Sequence, residues 1–190
     1  MQAEVLSVGT ELLLGQTVNT DTTIVAKALS ALGIDLLYAA VVGDNVGRLE
    51  KAVYDALDRS DILITTGGLG PTGDDLTKET VAAAAGKKLV LHEQSYQHLL
   101  DYFANGGMTE NQMKQAMLPE GCTALKNDNG TAPGCAFRTD KGKIVIILDG
   151  EVQSAPAVQS EITGGQVSIT GGYDKEAASS METVLESGSL

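Results

Sequence analysis

Short apolar runs alternate with amphipathic stretches along the first two-thirds of the chain. The apolar runs have the length of buried strands, and the stretches between them repeat their apolar positions with helical spacing. Strands are predicted at 3–8, 36–42 and 61–65, with helices at 20–32 and 46–60. Strict alternation of strand and helix predicts right-handed βαβ units and a mostly parallel sheet.

Shorter elements are predicted to complete a three-layer α/β/α domain over residues 1–148. Thr109 and Gln112 have the spacing of a capping box, which predicts a helix start there. Further strands are predicted at 88–91, 122–125, 134–138 and 143–148, and helices at 76–85 and 94–105.

The character of the chain changes from Asp149 onward. Glycine and serine become frequent, and helical periodicity is lost until Asp174. Residues 145–190 hold seven acids and one base, a net charge of −6 out of −12 for the whole chain. We therefore expect residues 149–190 to form a loosely attached hairpin and helix, with regular structure confined to 166–170 and 174–186.

A glycine run follows the apolar strand at 61–65 and leads into the helix predicted at 76–85. Gly67, Gly68 and Gly70 lack Cβ atoms, so backbone N–H groups there can approach a phosphate that also faces a helix N-terminus. The run fits neither the P-loop motif nor the dinucleotide-binding fingerprint. It predicts an anion-binding loop of another kind.

Two adjacent carboxylates, Asp74 and Asp75, enter the same loop. Carboxylates beside a phosphate are reasonable if a divalent cation such as Mg²⁺ lies between them. The alternative is that one or both simply cap the following helix.

Two more carboxylates are predicted at the same edge of the sheet. Glu11 and Asp44 follow the first and second strands, and ligands of open α/β sheets bind outside the carboxyl ends of the strands. Alone, each could be a turn or cap carboxylate. If they converge with Asp75, a functional cluster is favoured. Carboxylates that lie close together repel one another, and a cation is required to offset that repulsion.

Composition excludes several classes of protein. A net charge of −12 argues against a nucleic-acid partner, and the apolar runs are far shorter than a membrane span. No signal peptide is evident, so Cys122 and Cys135 are expected to be free thiols in a reducing cytoplasm.

His92 and His98 have poor metal-ligand spacing and are interpreted as ordinary histidines. Residues 127–134 are interpreted as a hairpin loop with Asn-Gly turn chemistry.

Several motifs in order resemble the N-terminal, molybdopterin-binding-type domain of the CinA family. The resemblance covers residues 1–148 without a visible gap. The matching stretches are Val8 to Gln16 with Val18 to Thr20, Val42 to Asn45, Thr65 to Thr72 with Asp74 to Thr77, and Asn127 with Gly130 to Gly134.

The resemblance implies a cytoplasmic enzyme that hydrolyses ADP-ribose to AMP and ribose 5-phosphate with a divalent metal. Asp44 and Asp75 match positions that relatives use at the active site, and we expect Glu11 to assist. Asp44, Asp74 and Asp75 are the expected metal ligands. We expect a small-molecule nucleotide substrate, no membrane partner and a homo-oligomer. The expected substrate-binding residues are Asn19, Gly67, Gly68, Gly70, Thr72, Asn127 and Thr131.

Residues 145–190 depart from that pattern. The CinA family continues its last strand with Leu-Pro-Gly-Val-Pro and a long helix, whereas here Leu148-Asp149-Gly150 and the residues beyond resemble the periplasmic domain of SecD. This suggests a chimera that lacks the first domain's final helix. Two alternative functions stay open: transfer of AMP to a pterin, as in the related MogA and MoaB proteins, and a nucleotide- or pterin-binding module without turnover.

Overall fold

A six-stranded sheet organises the computed structural model, which describes residues 1–73, 75–104, 107–127 and 130–150. The strands are β1 Gln2–Val8, β2 Asp35–Val42, β3 Ile62–Thr66, β4 Leu89–Leu91, β5 Met117–Pro119, β6 Thr123–Leu125, β7 Gly134–Arg138 and β8 Ile144–Leu148. The helices are α1 Thr10–Leu13, α2 Thr20–Ala31, α3 Val46–Arg59, α4 Thr77–Ala84, α5 Glu93–Tyr102 and α6 Glu110–Met113, followed by a 3₁₀ turn at Lys114–Ala116.

The strand order in the large sheet is β2-β1-β3-β8-β7-β6. The first four strands are parallel, and β7 pairs antiparallel with both β8 and β6. The predicted mostly parallel sheet is therefore confirmed. Because β6 and β8 flank an antiparallel strand, both run in the same direction as β1, β2 and β3.

Apolar clusters cover both faces of the sheet and make the domain three-layered. On one face, α3 and α4 pack over β1, β3, β7 and β8 around Leu49, Val53 and Val81. On the other face, α2 packs through Leu29 against Val5 and the adjoining strands. All five residues of β3 are buried, as expected of a central parallel strand.

The prediction was incomplete in two places. α1 lies between the strand predicted at 3–8 and the helix predicted at 20–32, where no element is predicted, because four residues are too few to show a period. β4 does not join the large sheet but pairs with β5, a strand that the sequence analysis missed. That pairing joins Leu89 to Pro119 across thirty residues, and three-residue strands carry little pattern of their own. The Thr109 capping box is confirmed.

An ion pair between a buried carboxylate and a partly exposed guanidinium ties β1 to the end of α3. Glu4 has no exposed surface and accepts hydrogen bonds from Nε and Nη2 of Arg59, and from the Ser60 hydroxyl at 3.3 Å. The Arg59 guanidinium also lies 4.2 Å from the centre of the Tyr38 ring on β2. This pair fixes the edge of the sheet against α3.

Arg59→Ala is expected to lower the free energy of unfolding clearly more than the control substitution below, because it removes the two guanidinium hydrogen bonds that the fully buried Glu4 carboxylate accepts. Urea denaturation measures the change. Lys51→Ala, which removes the exposed Lys51–Asp55 pair within α3, is the control and should cost less than about 0.5 kcal/mol. Equal effects of the two substitutions would contradict a structural role for the Glu4–Arg59 pair.

Two other expectations concern the thiols and the tail. Cys122 and Cys135 are both free, and burial raises the pKa of Cys135 to about 12, so it is a poor nucleophile. The predicted hairpin and helix at 151–190 lie outside the described residues, and the SecD resemblance stays a prediction. Within the described ranges, none of the helices has the length and apolarity needed to cross a membrane.

Candidate functional site

The topology brings several loops to one edge of the large sheet. Since β1, β2, β3, β6 and β8 run in the same direction, the segments after each of them emerge at that edge. We call it the carboxyl edge. The candidate residues that follow these strands are Glu11 after β1, Asp44 after β2, Gly67 to Asp75 after β3, Asn127 after β6 and Asp149 after β8.

The glycine loop begins with two left-handed residues. Gly67 and Gly68 have φ values of +87° and +70°, which residues with a Cβ rarely adopt. A Cβ on Gly67 would lie 2.4 Å from the Val8 carbonyl oxygen. The Gly67 N–H donates to the Leu148 carbonyl at 3.1 Å, so this glycine turns the chain and ties it to β8. Its N–H is therefore not free for a phosphate, and Gly68 and Gly70 remain as the predicted phosphate donors.

Asp75 is braced inside the loop and does not cap α4. The N-cap residue of α4 is Leu76, which makes no side-chain capping bond. Asp75 Oδ2 instead accepts hydrogen bonds from the Thr72 N–H at 2.8 Å and from the Thr72 hydroxyl at 2.5 Å. The capping alternative is wrong for Asp75, and Thr72 acts as its brace. Asp74 lies outside the described residues.

Gly70 leaves room for the Asp75 carboxylate. A Cβ on Gly70 would lie 2.5 Å from Asp75 Oδ2. The half-buried carboxylate thus lies directly against the backbone of the glycine loop. A side chain at position 70 would displace this carboxylate, so glycine there keeps Asp75 in its position.

Asp149 is a candidate that the sequence analysis did not select. It follows β8, and its Oδ2 accepts a hydrogen bond from Asn127 Nδ2 at 3.3 Å. The pKa of Asp149 is raised, chiefly because the protein displaces water around the carboxyl and next because the Asp75 carboxylate is near. In the sequence, its position directly after an apolar strand is the signal that could identify it as a site residue. Asp149 also begins the segment that departs from the CinA pattern, and that departure obscures the signal.

Asp44 joins the loops after β1 and β2, and Glu11 lies in the first of them. Asp44 Oδ2 accepts from the Thr10 N–H at 2.8 Å, and the Asp44 N–H donates to the Thr10 hydroxyl at 3.1 Å. The Glu11 carboxylate folds over Gly9, where a Cβ would lie 2.3 Å from Glu11 Oε1. Both residues lie at the carboxyl edge as predicted. Their convergence with Asp75 on one cation stays a prediction.

A polar network lies beneath these loops, between β1, β3 and the start of α2. The Ser7 hydroxyl accepts from Asn19 Nδ2 at 2.9 Å and from the Thr66 hydroxyl at 3.1 Å, and lies 3.2 Å from the Thr22 hydroxyl. Asn19 Oδ1 also caps α2 through the Thr22 N–H. Asn19, predicted to bind substrate, therefore holds the loop after β1 in place. Ser7 and Thr66 were missed because hydroxyls within strands give no motif.

The loop after β6 connects two parts of the carboxyl edge. β6 and β7 pair antiparallel, so the predicted hairpin connection is confirmed. Asn127 Nδ2 donates to the Ala132 carbonyl at 3.0 Å as well as to Asp149. Thr131 lines a cleft between this loop and α5. Asn127 thus holds its loop closed and orients Asp149.

A buried lysine ties the start of α4 to the 3₁₀ turn at Lys114–Ala116. Lys78 is 4% exposed, and its Nζ donates to the carbonyls of Lys114 at 2.8 Å and Gln115 at 3.1 Å. Burial lowers the pKa of Lys78. A cavity of about 20 Å³ lies between the glycine loop, α4 and the segment at 111–115. Lys78 is a further residue that the sequence analysis missed, because no motif marks it.

Comparisons with known proteins agree with this architecture. The family model of the probable molybdopterin binding domain matches residues 4–184. A CinA-like protein of Desulfovibrio desulfuricans is 57% identical over 150 residues, which make up 79% of this chain and 35% of that protein. The chain therefore spans about a third of the length of that curated relative.

Solved structures show the same similarity. The crystal structure of the protein CinA from Thermoplasma acidophilum, described as of unknown function, is 36% identical with a TM-score of 0.73, covering 80% of this chain and 90% of that chain. The molybdopterin biosynthesis enzyme MoaB of Thermus thermophilus has a TM-score of 0.52 at 17% identity, covering 79% of this chain and 81% of that chain. The second likeness is one of fold alone.

Proposed function

The chain belongs to the family of the probable molybdopterin binding domain, among its CinA-type members, and we propose that it hydrolyses a nucleoside diphosphate sugar with the help of a divalent cation. ADP-ribose, cleaved to AMP and ribose 5-phosphate, is the proposed substrate. One observation carries the proposal. The glycine loop packs closely against β1 at Gly67, and it holds the Asp75 carboxylate, braced by Thr72, at the carboxyl edge.

The glycine loop would bind the pyrophosphate. Backbone N–H groups at Gly68 and Gly70, close to the start of α4, would donate to the phosphate oxygens. Gly67 shapes the loop through its positive φ, since its own N–H is bonded to β8. The positive φ values of Gly67 and Gly68 would orient these donors.

The acidic residues fit a hard divalent cation. Among the described residues no three His, Cys, Asp or Glu form a closed metal cage. Mg²⁺ does not need one, because it usually takes one or two carboxylates and fills its shell with water and substrate phosphates. Asp75 would be the central ligand, with Asp44 and Asp74 as proposed further ligands. When bound, the cation would neutralise charge on the phosphate oxygens and make a phosphorus atom easier to attack.

Asp149 would prepare the attacking water. A carboxylate whose pKa is raised takes up a proton more readily near neutral pH than an ordinary aspartate does. Asn127 holds the Asp149 side chain through the bond to Oδ2. Asp149 would accept a proton from the attacking water. At the same time the water oxygen would bond to phosphorus, and the bridging pyrophosphate bond would break.

Product analysis tests the proposal. The protein is incubated with ADP-ribose and with Mg²⁺ or Mn²⁺, and nucleotides are separated by chromatography. Equal amounts of AMP and ribose 5-phosphate, lost on adding EDTA and restored by the metal, are expected. A thermal melt with each ligand shows whether the protein is folded and binds. Binding of ADP-ribose without products would favour the module without turnover.

The pterin alternative rests on the family's description as a probable molybdopterin binding domain. Transfer of AMP to a pterin would break a phosphoanhydride and would use the same glycine loop. The same chromatography distinguishes the two: ATP and molybdopterin would then yield adenylylated molybdopterin and pyrophosphate, and ADP-ribose would stay intact.

Gly70→Ala is expected to reduce hydrolysis about tenfold to a hundredfold with little loss of stability. The new methyl group displaces the Asp75 carboxylate, a flexible side-chain end that can move, and small misplacements of reacting groups are costly. Steady-state rates and urea denaturation measure the two effects. Gly73→Ala, in the same loop with open space around it, is the control. Unchanged hydrolysis by Gly70→Ala would contradict a role for the position of Asp75.

A further inference from the structure

The cavity at the glycine loop is far smaller than the proposed substrate. Its volume of about 20 Å³ has room for about one water molecule. Pockets that enclose drug-sized ligands have volumes of roughly 300–1,000 Å³. The remainder of a nucleoside diphosphate sugar must therefore lie elsewhere along the carboxyl edge.

A second cleft, of about 280 Å³, opens farther along that edge; we call it the α5 cleft. One wall is the start of α5, and the other is the end of β6 with the loop that follows. The lining residues used below are His92, Gln94, His98, Leu125, Asn127 and Pro133.

The α5 cleft and the glycine loop are linked by hydrogen bonds through the end of β8 and the residue that follows it. Asn127 lines the cleft, and its Nδ2 donates to Asp149 Oδ2 at 3.3 Å. Asp149 directly follows Leu148, whose carbonyl accepts from the N–H of Gly67 in the glycine loop at 3.1 Å. A ligand with its phosphates at the glycine loop could extend past Asp149 into the cleft.

The chemistry of the α5 cleft suits a nucleobase better than a sugar phosphate. Leu125 and Pro133 give it apolar surface, which a base can bury and a ribose phosphate cannot. Gln94 offers an amide that can recognise the polar edge of a base. His98 is exposed and offers a flat ring on which a base can stack.

The two histidines of the cleft have different roles. His92 is the N-cap of α5, and its Nδ1 lies 2.8 Å from the Ser95 hydroxyl and accepts from the Ser95 N–H. It therefore shapes the wall. His98 lies six residues farther along, nearly two turns of the helix, and lines the same cleft.

We propose that the α5 cleft binds the nucleoside half of the substrate, with the base stacked on His98 between α5 and the loop after β6. This inference rests on the proposed function, because it places the phosphates at the glycine loop. It assigns a binding role to His98 and Gln94. The sequence alone indicates an ordinary histidine at His98, and no motif marks Gln94.

The test measures binding of the two product halves separately. Calorimetry with AMP and with ribose 5-phosphate is carried out on the wild-type protein, His98→Ala and His98→Phe. His98→Ala should weaken AMP binding about tenfold or more, the size of one lost stacking contact, and leave ribose 5-phosphate binding unchanged. His98→Phe keeps a flat ring and should largely restore the affinity for AMP.

Gln97→Ala is the matched control, because Gln97 is an exposed residue of α5 that bonds to Asp101 and does not line the cleft. AMP affinity unchanged in His98→Ala, or equal losses for AMP and ribose 5-phosphate, would overturn the inference. A wild-type protein that binds AMP through His98 but leaves ADP-ribose intact would reject the proposed function and keep the nucleoside site.

Discussion

Asp75→Asn is expected to lower the rate of ADP-ribose hydrolysis by about a hundredfold or more, with a melting temperature close to that of the wild type. Asparagine keeps the shape of the side chain and an oxygen that can accept from Thr72, so the brace seen in the glycine loop can persist. The negative charge is lost, and with it the proposed hold on the cation. Removal of one electrostatic group from an active site commonly costs this much in rate.

Asp55→Asn is the matched control, because Asp55 is an exposed carboxylate of α3 whose partner is Lys51 on the same helix. It should leave both the rate and the melting temperature unchanged. Initial rates at several Mg²⁺ concentrations separate a weakened metal site from a changed substrate site. Turnover of Asp75→Asn near the wild-type rate would leave Asp75 with only a structural role.

The elements with a full period were predicted from the sequence, and those decided by distant pairing were not. α3 carries four turns of apolar repeat, and β3 is a continuous apolar run, so each identified itself. β5 has three residues, and its partner β4 lies almost thirty positions away. Sequence pattern reports what a segment buries and cannot report where a short segment pairs.

The candidate site was predicted to the level of its loops. The parallel alternation placed Asp44 and Asp75 at one edge, because the carboxyl ends of parallel strands must meet there. What each carboxylate contacts was not predictable. An aspartate just before a helix is commonly its cap, whereas the turn of the glycine loop directs Asp75 to Thr72 instead.

Asp149 illustrates a different limit. Its place in the site depends on β8 pairing with β3, which joins residues about eighty positions apart. Only that register places Asp149 beside the glycine loop, where Leu148 accepts from the Gly67 N–H. In the sequence, the end of β8 is simply the last segment that matches the family motifs. In the fold, the parallel pairing makes it a neighbour of Gly67, the first glycine of the loop.

Gly67→Ala is expected to cost about 2–5 kcal/mol of unfolding free energy and to abolish hydrolysis. A left-handed conformation costs a residue with a Cβ about 1–2 kcal/mol, and overpacking a rigid site costs about 1–3 kcal/mol more. The new methyl group would lie 2.4 Å from the Val8 carbonyl oxygen, which belongs to β1, an interior strand of the sheet. Because a backbone atom of the sheet cannot move aside, the glycine loop must shift and carry Asp75 with it.

Gly73→Ala provides the comparison within the same loop. A Cβ there meets nothing within 4 Å, and its φ lies outside the left-handed region. That substitution should be neutral or stabilise by about 0.4–1 kcal/mol, since alanine restricts the unfolded chain. Urea denaturation and the ADP-ribose assay on both variants give the result. If Gly67→Ala unfolded at the same urea concentration as Gly73→Ala, the close approach of the loop to β1 would be wrong, and with it the proposed geometry for holding the pyrophosphate.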